Sequence, residues 1–425
     1  MNSEKTLNIA LARDYLDEKD LRFDTTKGYL LSKSEYDQFK ELKDEFIDKG
    51  IECNGVKCFF KIPLKTFDSK HIFFVRGIYL MNALKDYLNI ALDDYNENKK
   101  FLIERRSDDI ITARIFSEIE GTLNIENIKS THKRIKQVCE SGDLKDRNDI
   151  IIRNMNNAIS FIVDESPEFN KENLYKLYNI VSKDCLKDDD QLNGNYYRDD
   201  SVTIGNGVID RDKGAPYNKI EEMMDGLFEF VAGYKQYKDE KDVVYLLPHI
   251  CHYYILYVHP YFDYNGRTAR MVSFWISWLL GAYSMPLFIS EAINENKNEY
   301  YKAIANTRNS NNDLTYFLGY IFKNATNFSL IYKNVEYCEK ELAVKGDFLS
   351  NSERLYLKKI LIHSSESYFN VKMFIEFVDN NITKQGAFKV LNLLTEYGLL
   401  ELSENKRGES IYKLNKKFIK YKYSC

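Results

Sequence analysis

Apolar side chains recur along much of the chain at the three- to four-residue spacing of amphipathic helices. One example is the series Ile110, Ile111, Ile115 and Ile119. It predicts a helix over residues 108–120 that ends at Gly121, because glycine commonly stops a helix at its C-terminus. The same reasoning predicts helices over residues 34–49, 76–96, 147–164, 171–186, 218–235 and 241–258.

Strand patterns are few and short. Residues 57–62 and 71–75 alternate weakly like strands. Between Asn193 and Pro216, four glycines surround the β-like run 201–204. Glycines flanking a short β-branched run are typical of a hairpin. We therefore expect a mainly α fold with one β-hairpin in its middle.

The last 75 or so residues read as a separate unit. Helices are expected over 352–362, 371–378 and 384–397, the third capped by Thr383. Two strands follow at 399–402 and 411–414, joined by a polar turn. Three helices plus a two-stranded wing form the winged-helix pattern. The predicted domains are a mostly helical N-terminal region (1–105), a central domain (106–345) and the C-terminal winged helix (346–425).

Composition narrows the class of protein. The 425 residues include only 6 prolines and 19 glycines, which suits long helices. A net charge of −4 argues against a wholesale nucleic-acid binder. Residues 350–425 nevertheless carry 13 Lys/Arg against 8 Asp/Glu, so this unit is a possible DNA reader. The predicted contacts there are Lys384, Gln385, Lys389, Lys406 and Arg407, and protein contact is the alternative.

The cellular location is expected to be the cytoplasm. The seven cysteines are scattered without a CxxC pair, which is typical of free thiols in a reducing compartment. The N-terminus lacks a signal-peptide pattern. The most apolar run, residues 271–287, is interrupted by serines, glycine and proline and is expected to be a buried helix, not a membrane span.

One segment, residues 259–270, concentrates chemistry in a loop that leads into a helix. Asn265 and Gly266 would occupy the helix start, where unpaired amides and the helix dipole attract phosphate. Arg267 and Arg270 are three residues apart and share a helix face. Two guanidinium groups on one face suit a chain of phosphates. These residues predict a polyphosphate site.

The same segment offers a base and a metal ligand. His259 can accept a proton at neutral pH, and Asp263 supplies the oxygen that Mg²⁺ prefers. A second histidine group, His249 and His252 with Cys251, lies on the preceding helix but lacks partners for a zinc site. We expect that group to pack in the core.

These residues resemble the motif of the Fic (filamentation induced by cAMP) family, HPFx(D/E)GN(G/K)RxxR. His259, Pro260, Asp263, Asn265, Gly266, Arg267 and Arg270 match it. Tyr261 replaces its Phe and Tyr264 replaces a Gly. The resemblance extends over about residues 110–322. It implies a Fic-type helical bundle with a β-hairpin flap.

The resemblance also implies an activity, namely transfer of AMP from ATP onto a Ser, Thr or Tyr hydroxyl of a target protein. His259 would be the base, Asp263 would hold Mg²⁺, and Arg267 and Arg270 would bind the phosphates. Asn296, Tyr300 and Tyr301 would contribute to the nucleobase pocket, although helix packing is an equal alternative for the tyrosines. The flap that holds the target would comprise Val202, Thr203, Ile204 and Gly205.

An inhibitory motif of the family, (S/T)xxxE(G/N), resembles the stretch from Ser117 to Gly121. By this resemblance Glu120 would pair with Arg270 and occupy the place of the γ-phosphate. The alternatives that stay open are transfer of UMP, GMP or phosphocholine, and a DNA-binding regulator that only senses nucleotide. Homo-oligomers are a further possible partner.

Overall fold

The computed structural model describes residues 1–53, 55–68, 70–90, 109–204, 212–234, 241–280, 289–364, 367–378, 381–404 and 408–423. These residues are mostly helical, which confirms the mainly α prediction. They divide into two compact units, Met1–Ala325 and Thr326–Cys425. The division falls within one long helix, not at the predicted boundary after residue 345.

The N-terminal part of the first unit combines short helices with two small hairpins. The helices are α1 (Ser3–Ala10), α2 (Glu18–Phe23), α3 (Lys33–Lys49) and α4 (residues 78–90). The strands are β1 (Glu52–Cys53), β2 (Val56–Lys57), β3 (Phe59–Ile62) and β4 (Ile72–Val75). β1 pairs with β2 and β3 pairs with β4, both antiparallel.

This N-terminal part belongs to the first unit and makes buried polar contacts with residues 313–314. Lys43 of α3 forms a fully buried ion pair with Asp313, 2.6 Å from Nζ to Oδ2. The hydroxyl of Tyr15 also donates to Asp313. The backbone nitrogen of Leu314 donates to the carbonyl of Phe73. These buried polar contacts join Tyr15, α3 and β4 to residues 313–314.

The central helices carry the large core of the first unit. They are α5 (Asp109–Ile125), α6 (His132–Ser141), α7 (Arg147–Ser160), α8 (Lys171–Ser182), α9 (Tyr217–Ala232), α10 (Lys241–Val258), α11 (Asn265–Leu279), α12 (Ile289–Glu295), α13 (Lys297–Asn309) and the start of α14 (Thr315–Lys345), whose residues from Thr326 onward belong to the second unit. A π-helical turn, Phe161–Glu165, follows α7. The short strands β5 (Thr203–Ile204) and β6 (Asp212–Lys213) pair antiparallel, as expected for the hairpin.

Helix α11 lies at the centre of this core. Its side chains are buried from Arg267 through Trp278, because the apolar run predicted as a buried helix covers all of its faces. Residues 281–287 of that run lie outside the described residues. No helix within the described ranges has the length and apolarity to cross a membrane.

Helix α5 corrects the sequence prediction at its end. The helix does not stop at Gly121 but continues to Ile125. A Cβ atom on Gly121 would lie 2.6 Å from the backbone nitrogen of Glu291. The glycine is therefore required by the close packing of α5 on α12, and it does not terminate the helix.

The second unit has its own core and the predicted order of elements. Helices α15 (Asn351–Ser364), α16 (Val371–Phe377) and α17 (Lys384–Glu396) precede strands β8 (Leu400–Glu404) and β9 (Ser410–Leu414). A strand that was not predicted, β7 (Phe369–Asn370), completes a three-stranded sheet in the order β7-β9-β8. The side chain of Thr383 caps α17, as expected.

The cysteines follow the free-thiol expectation with one exception. Cys139, Cys185, Cys251 and Cys338 are free. Cys58 is in a disulfide, which corrects the expectation for that residue. Its partner lies outside the residues whose side chains are described.

Candidate active site

The loop between α10 and α11 has a fixed shape. Two of its residues adopt the left-handed conformation, His259 with φ of 54° and Tyr264 with φ of 65°. The Asn265 side chain holds the loop by two bonds to the backbone of Tyr261, accepting at 3.0 Å and donating at 2.8 Å. Asn265, predicted to bind nucleotide, thus acts on the loop in this structure.

His259 lies at the start of this loop. Burial, together with the positive charges of Arg308 and Arg198, lowers the pKa of its imidazole to about 3. Its Nδ1 atom is buried and has no hydrogen-bond partner among the described residues. The imidazole is therefore neutral at physiological pH, which is the form that accepts a proton.

Arg198 ties this loop to the hairpin. Its Nε donates to the backbone carbonyl of His259 at 2.8 Å. Its two terminal nitrogens donate to the carbonyls of Asp200, before β5, and Ala215, after β6. Three carbonyl acceptors on one buried guanidinium fix both ends of the hairpin beside His259. From the sequence, Arg198 could be recognised only as the first residue of the segment 198–205 that resembles the flap.

The hairpin itself carries the predicted flap residues. Thr203 and Ile204 form β5, and Thr203 is exposed. Val202 lies just before the strand, and Gly205 lies outside the described residues. An exposed strand beside His259 offers an edge to which an extended segment of another protein can add.

Arg267, one turn into α11, is buried and incompletely bonded. Its Cζ atom lies 3.5 Å from the centroid of the Tyr264 ring. Its Nε and Nη1 atoms are buried without a hydrogen-bond partner in the described part of the chain. Buried donors without acceptors are costly, so this guanidinium is suited to bind an anion.

Arg270 is fully engaged by the end of α5. Its Nη2 lies 2.7 Å from Oε1 of Glu126. Its Nε donates to the hydroxyl of Thr122 at 2.7 Å, and Nη2 also reaches the Thr122 carbonyl at 3.3 Å. A Cβ atom on Gly266 would lie 2.7 Å from the same Glu126 oxygen. The carboxylate therefore lies directly against the first turn of α11, where phosphate was expected.

The Glu126 carboxylate is held in its charged form. Burial raises its pKa, but the positive charges of Arg270 and Arg267 outweigh this, and the net pKa is lowered. Lys297, which adds to the lowering, donates to the side chain of Asn127 at 2.7 Å. The cationic surroundings that suit polyphosphate are thus shared with an anion of the chain itself.

The predicted pairing of Glu120 with Arg270 is wrong. Arg270 bonds Glu126 and Thr122, and Thr122-Leu123-Asn124-Ile125-Glu126-Asn127 matches (S/T)xxxE(G/N) at every fixed position. Glu120 precedes Glu126 by six residues, roughly 9 Å along a helix axis, so it lies more than one turn earlier on α5, and Ser117 lies earlier still. The error follows from taking Glu120-Gly121 as the E(G/N) end of the inhibitory motif.

A buried carboxylate anchors α5. Both side-chain oxygens of Glu118 accept from the backbone nitrogen of Ser290, at 3.1 and 3.0 Å. Burial raises the pKa of Glu118 to about 7. Together with the close approach at Gly121, this contact fixes α5 on α12 and thereby sets the position of Glu126.

Asp263, the predicted Mg²⁺ ligand, is exposed at the loop. One of its oxygens accepts from the backbone nitrogen of Tyr264 at 2.6 Å. No cluster of three His, Cys, Asp or Glu side chains suited to a metal occurs among the described residues. A single accessible carboxylate fits Mg²⁺, which prefers substrate phosphates and water for its other ligands.

The other predicted site residues divide into packed and exposed groups. Tyr300 is buried, its hydroxyl lies 3.0 Å from Nε2 of His252, and it also interacts with the Arg270 side chain. Tyr301 is half-exposed, with its ring 5.3 Å from that of Tyr300. Asn296 is exposed and donates to Asn324 at 2.8 Å. His249 is buried against Ser273 and Tyr87, in agreement with core packing of the histidine group.

Comparison with known proteins finds a similarity to one family over part of this region. Residues 168–277 match the Fic/DOC family. Similar solved structures include a Fic family protein from Desulfovibrio desulfuricans G20 (16% identity, TM-score 0.49, covering 80% of this chain and 97% of that one). Fic-1 from C. elegans gives 18% identity and a TM-score of 0.45, covering 60% and 73%. A Fic domain containing signaling protein from Bacteroides thetaiotaomicron VPI-5482 has 14% sequence identity and a TM-score of 0.41, and the match covers 64% of this chain and 99% of that one.

The central region of the chain is therefore similar to the Fic/DOC family over residues 168–277. No curated protein is significantly similar to it in sequence. Fic domain proteins are typically transferases, and the match supports transfer of a nucleotide or another phosphate-containing group to proteins as the general activity. The family match and the site residues support this assignment, not the distant structural similarities.

Proposed function

We propose that this protein is an auto-inhibited adenylyltransferase that moves AMP from ATP onto a hydroxyl side chain of a target protein. The observation that carries the proposal is the Glu126 carboxylate, 2.7 Å from Arg270 and in contact range of Gly266. A carboxylate held by phosphate-binding groups is a stand-in for phosphate. The same site therefore contains the ligand cradle and its inhibitor.

The transfer step uses the residues around the loop. The target's hydroxyl oxygen attacks the α-phosphorus of ATP while neutral His259 takes its proton. The new oxygen–phosphorus bond forms as the bond to the leaving oxygen breaks, and pyrophosphate departs with that electron pair. Arg267 offers its unpartnered donors to the phosphates. Mg²⁺, held by Asp263, would neutralise phosphate charge when bound.

Inhibition follows from competition for Arg270. While Glu126 holds this guanidinium, the γ-phosphate meets a carboxylate where it needs a cation. Like charges at this distance repel, and the burial of the pair strengthens the effect. ATP then binds weakly or in a pose that does not present the α-phosphorus to the hydroxyl. If residues 122–127 move away, Arg270 becomes available to the γ-phosphate.

The nucleotide and the product are tested with the Glu126→Gly variant. The variant is incubated with ATP and Mg²⁺, with UTP, GTP or CDP-choline as competitors, and its intact mass and fragments are measured. We expect a gain of one AMP moiety on a hydroxyl side chain, suppressed by unlabelled ATP analogues more than by the other compounds. A gain of UMP, GMP or phosphocholine instead would replace ATP by that donor, and no gain with any donor would contradict transfer.

The second unit supports a further candidate function, that of a DNA-binding regulator. Lys384, Gln385 and Lys389 are exposed on α17, the third helix, which reads the major groove in winged-helix proteins. Lys406 and Arg407 lie outside the described residues. Binding of duplex DNA that weakens steeply with salt and is lost on Lys384→Glu with Lys389→Glu would support this candidate. Salt-independent or absent binding would favour a protein partner.

A further inference from the structure

Tyr264 occupies a position that favours glycine. Its φ of 65° and ψ of 9° lie in the left-handed region, which bulky side chains seldom adopt. The motif that this loop resembles has a glycine there. Tyr264 is nevertheless almost fully buried, with 2% of its surface exposed. A bulky residue retained in this conformation must contribute contacts that offset the strain.

The aromatic ring of Tyr264 contacts Arg267. The guanidinium carbon lies 3.5 Å from the ring centroid, which places the cation against the face of the ring. Such stacking is favourable for arginine, and more so when both partners are shielded from water. The two residues are three apart at the start of α11, so the ring contacts the arginine from the loop side.

Stacking leaves the arginine's donors available. The ring contacts the face of the guanidinium, whereas its N–H bonds lie in the guanidinium plane. Nε and Nη1 of Arg267 are buried and have no acceptor in the described structure. Arg267 also helps to lower the pKa of the Glu126 carboxylate, so its charge acts on the anion site. The stack thus holds the cation without consuming its hydrogen bonds.

We propose that Tyr264 is a positioning residue that holds Arg267 in the orientation needed to bind the phosphate chain of the substrate. This inference rests on the proposed function, because it assigns a role within the same site. The ring restricts the long arginine side chain before the ligand arrives, so less conformational freedom is lost on binding. The preorganised Arg267 cation offsets the backbone strain of a tyrosine at a position that favours glycine.

A purely space-filling role for Tyr264 predicts a different outcome. Its hydroxyl interacts with the Cys185 side chain and not with the guanidinium face, so a phenylalanine keeps the aromatic face that contacts Arg267. A leucine fills much of the same space but lacks the aromatic face. The pair Tyr264→Phe and Tyr264→Leu therefore separates stacking from volume.

The test measures binding in the Glu126→Gly background, with ATP, inorganic tripolyphosphate and adenosine as separate ligands. We expect Tyr264→Phe to bind all three within about twofold of the parent. We expect Tyr264→Leu to bind ATP and tripolyphosphate roughly 10- to 30-fold more weakly, the value of a shielded cation–π contact, with adenosine unchanged. Thermal melting checks that each variant is folded, and Tyr264→Met replaces Tyr264→Leu if the latter is not.

A double-mutant cycle ties the effect to Arg267. In an Arg267→Ala background, Tyr264→Leu should cause no further loss of tripolyphosphate affinity. Equal binding by the Phe and Leu variants, or a loss that persists without Arg267, would overturn the proposal. If the tripolyphosphate pattern holds while no variant transfers a nucleotide, the positioning role stands and the proposed transfer fails.

Discussion

Nε of Arg198 donates a hydrogen bond of 2.8 Å to the backbone carbonyl of His259. The same guanidinium bonds the carbonyls of Asp200 and Ala215 at the two ends of the hairpin. His259 has a left-handed backbone, which is uncommon for a residue with a side chain. One buried arginine therefore maintains both the conformation of the proposed base and the place of the strand beside it.

Removing this arginine should impair transfer without impairing nucleotide binding. In the Glu126→Gly background, Arg198→Ala is expected to lower kcat roughly 100-fold, since small displacements of a catalytic group have effects of that size. Arg198→Lys should recover little, because an ammonium group cannot bond three carbonyls in one plane. The dissociation constant for ATP should stay within about twofold in both variants.

The control for Arg198 is Arg153→Ala, which removes an arginine that pairs with exposed Asp184 at 3.4 Å. This variant should leave kcat and ATP binding unchanged. An Arg198→Ala enzyme with near-parental kcat would show that His259 and the hairpin keep their positions by other contacts.

Glu118 should make the stability of the first unit depend on pH. Burial raises its pKa from 4.5 to about 7, so between these values the folded chain binds a proton that the unfolded chain releases. Its contribution to stability is present below pH 4.5 and is lost as pH rises to 7. The loss amounts to about 3 kcal/mol, to order of magnitude.

The Glu118→Gln variant removes that titration while its amide oxygen can still accept from Ser290. Its melting temperature should exceed that of the wild type at pH 8, and the difference should shrink as pH is lowered to 5. Glu120→Gln, two residues along α5, serves as the matched control. A difference between Glu118→Gln and wild type that does not change with pH would contradict the raised pKa.

The buried pair of Lys43 and Asp313 should be essential for folding of the first unit. Both side chains are fully buried, 2.6 Å apart. Lys43→Met leaves a buried carboxylate without its cation, and we expect a loss of about 3–5 kcal/mol in the free energy of unfolding, measured by urea denaturation. Lys49→Met on the same helix breaks only an exposed pair with Glu45, which should cost under about 1 kcal/mol.

The double variant Lys43→Met with Asp313→Asn distinguishes electrostatics from packing. Removal of both charges should recover part of the lost stability, because no unpaired charge then remains buried. A single variant as stable as the wild type would show that residues 1–105 do not depend on this pair for their attachment to the central helices.

Much of the fold could be predicted from the sequence because its helices are strongly periodic. Helix α10 begins and ends at the predicted residues, and α17 differs only at its final residue. The loop from His259 to Arg270 was identified because its residue types combine a base, a carboxylate and cations at helical spacing. Such local patterns can be recognised without knowledge of the tertiary structure.

The errors arise where tertiary contacts decide. Gly121 was predicted to end a helix, but a glycine is needed at this position because the backbone of Glu291 packs against it. The choice of Glu120 as the inhibitory glutamate was a separate error, which followed from the match of Glu120-Gly121 to the E(G/N) end of the motif. Arg198 bonds backbone carbonyls that are 2, 17 and 61 residues away along the chain. Every residue has a backbone carbonyl, so the sequence does not indicate which ones a side chain will bond. The Lys43–Asp313 pair spans 270 residues and was invisible for the same reason.

The central claim is that Glu126 inhibits nucleotide transfer by occupying the phosphate site. The most direct measurement incubates purified protein with α-labelled ATP and Mg²⁺ and compares wild type, Glu126→Gly, Glu120→Gly and Glu126→Gly with His259→Ala. We predict strong labelling of Glu126→Gly alone, with the other three near the wild-type background. Labelling of Glu120→Gly at the level of Glu126→Gly, or no labelling of Glu126→Gly, would contradict it.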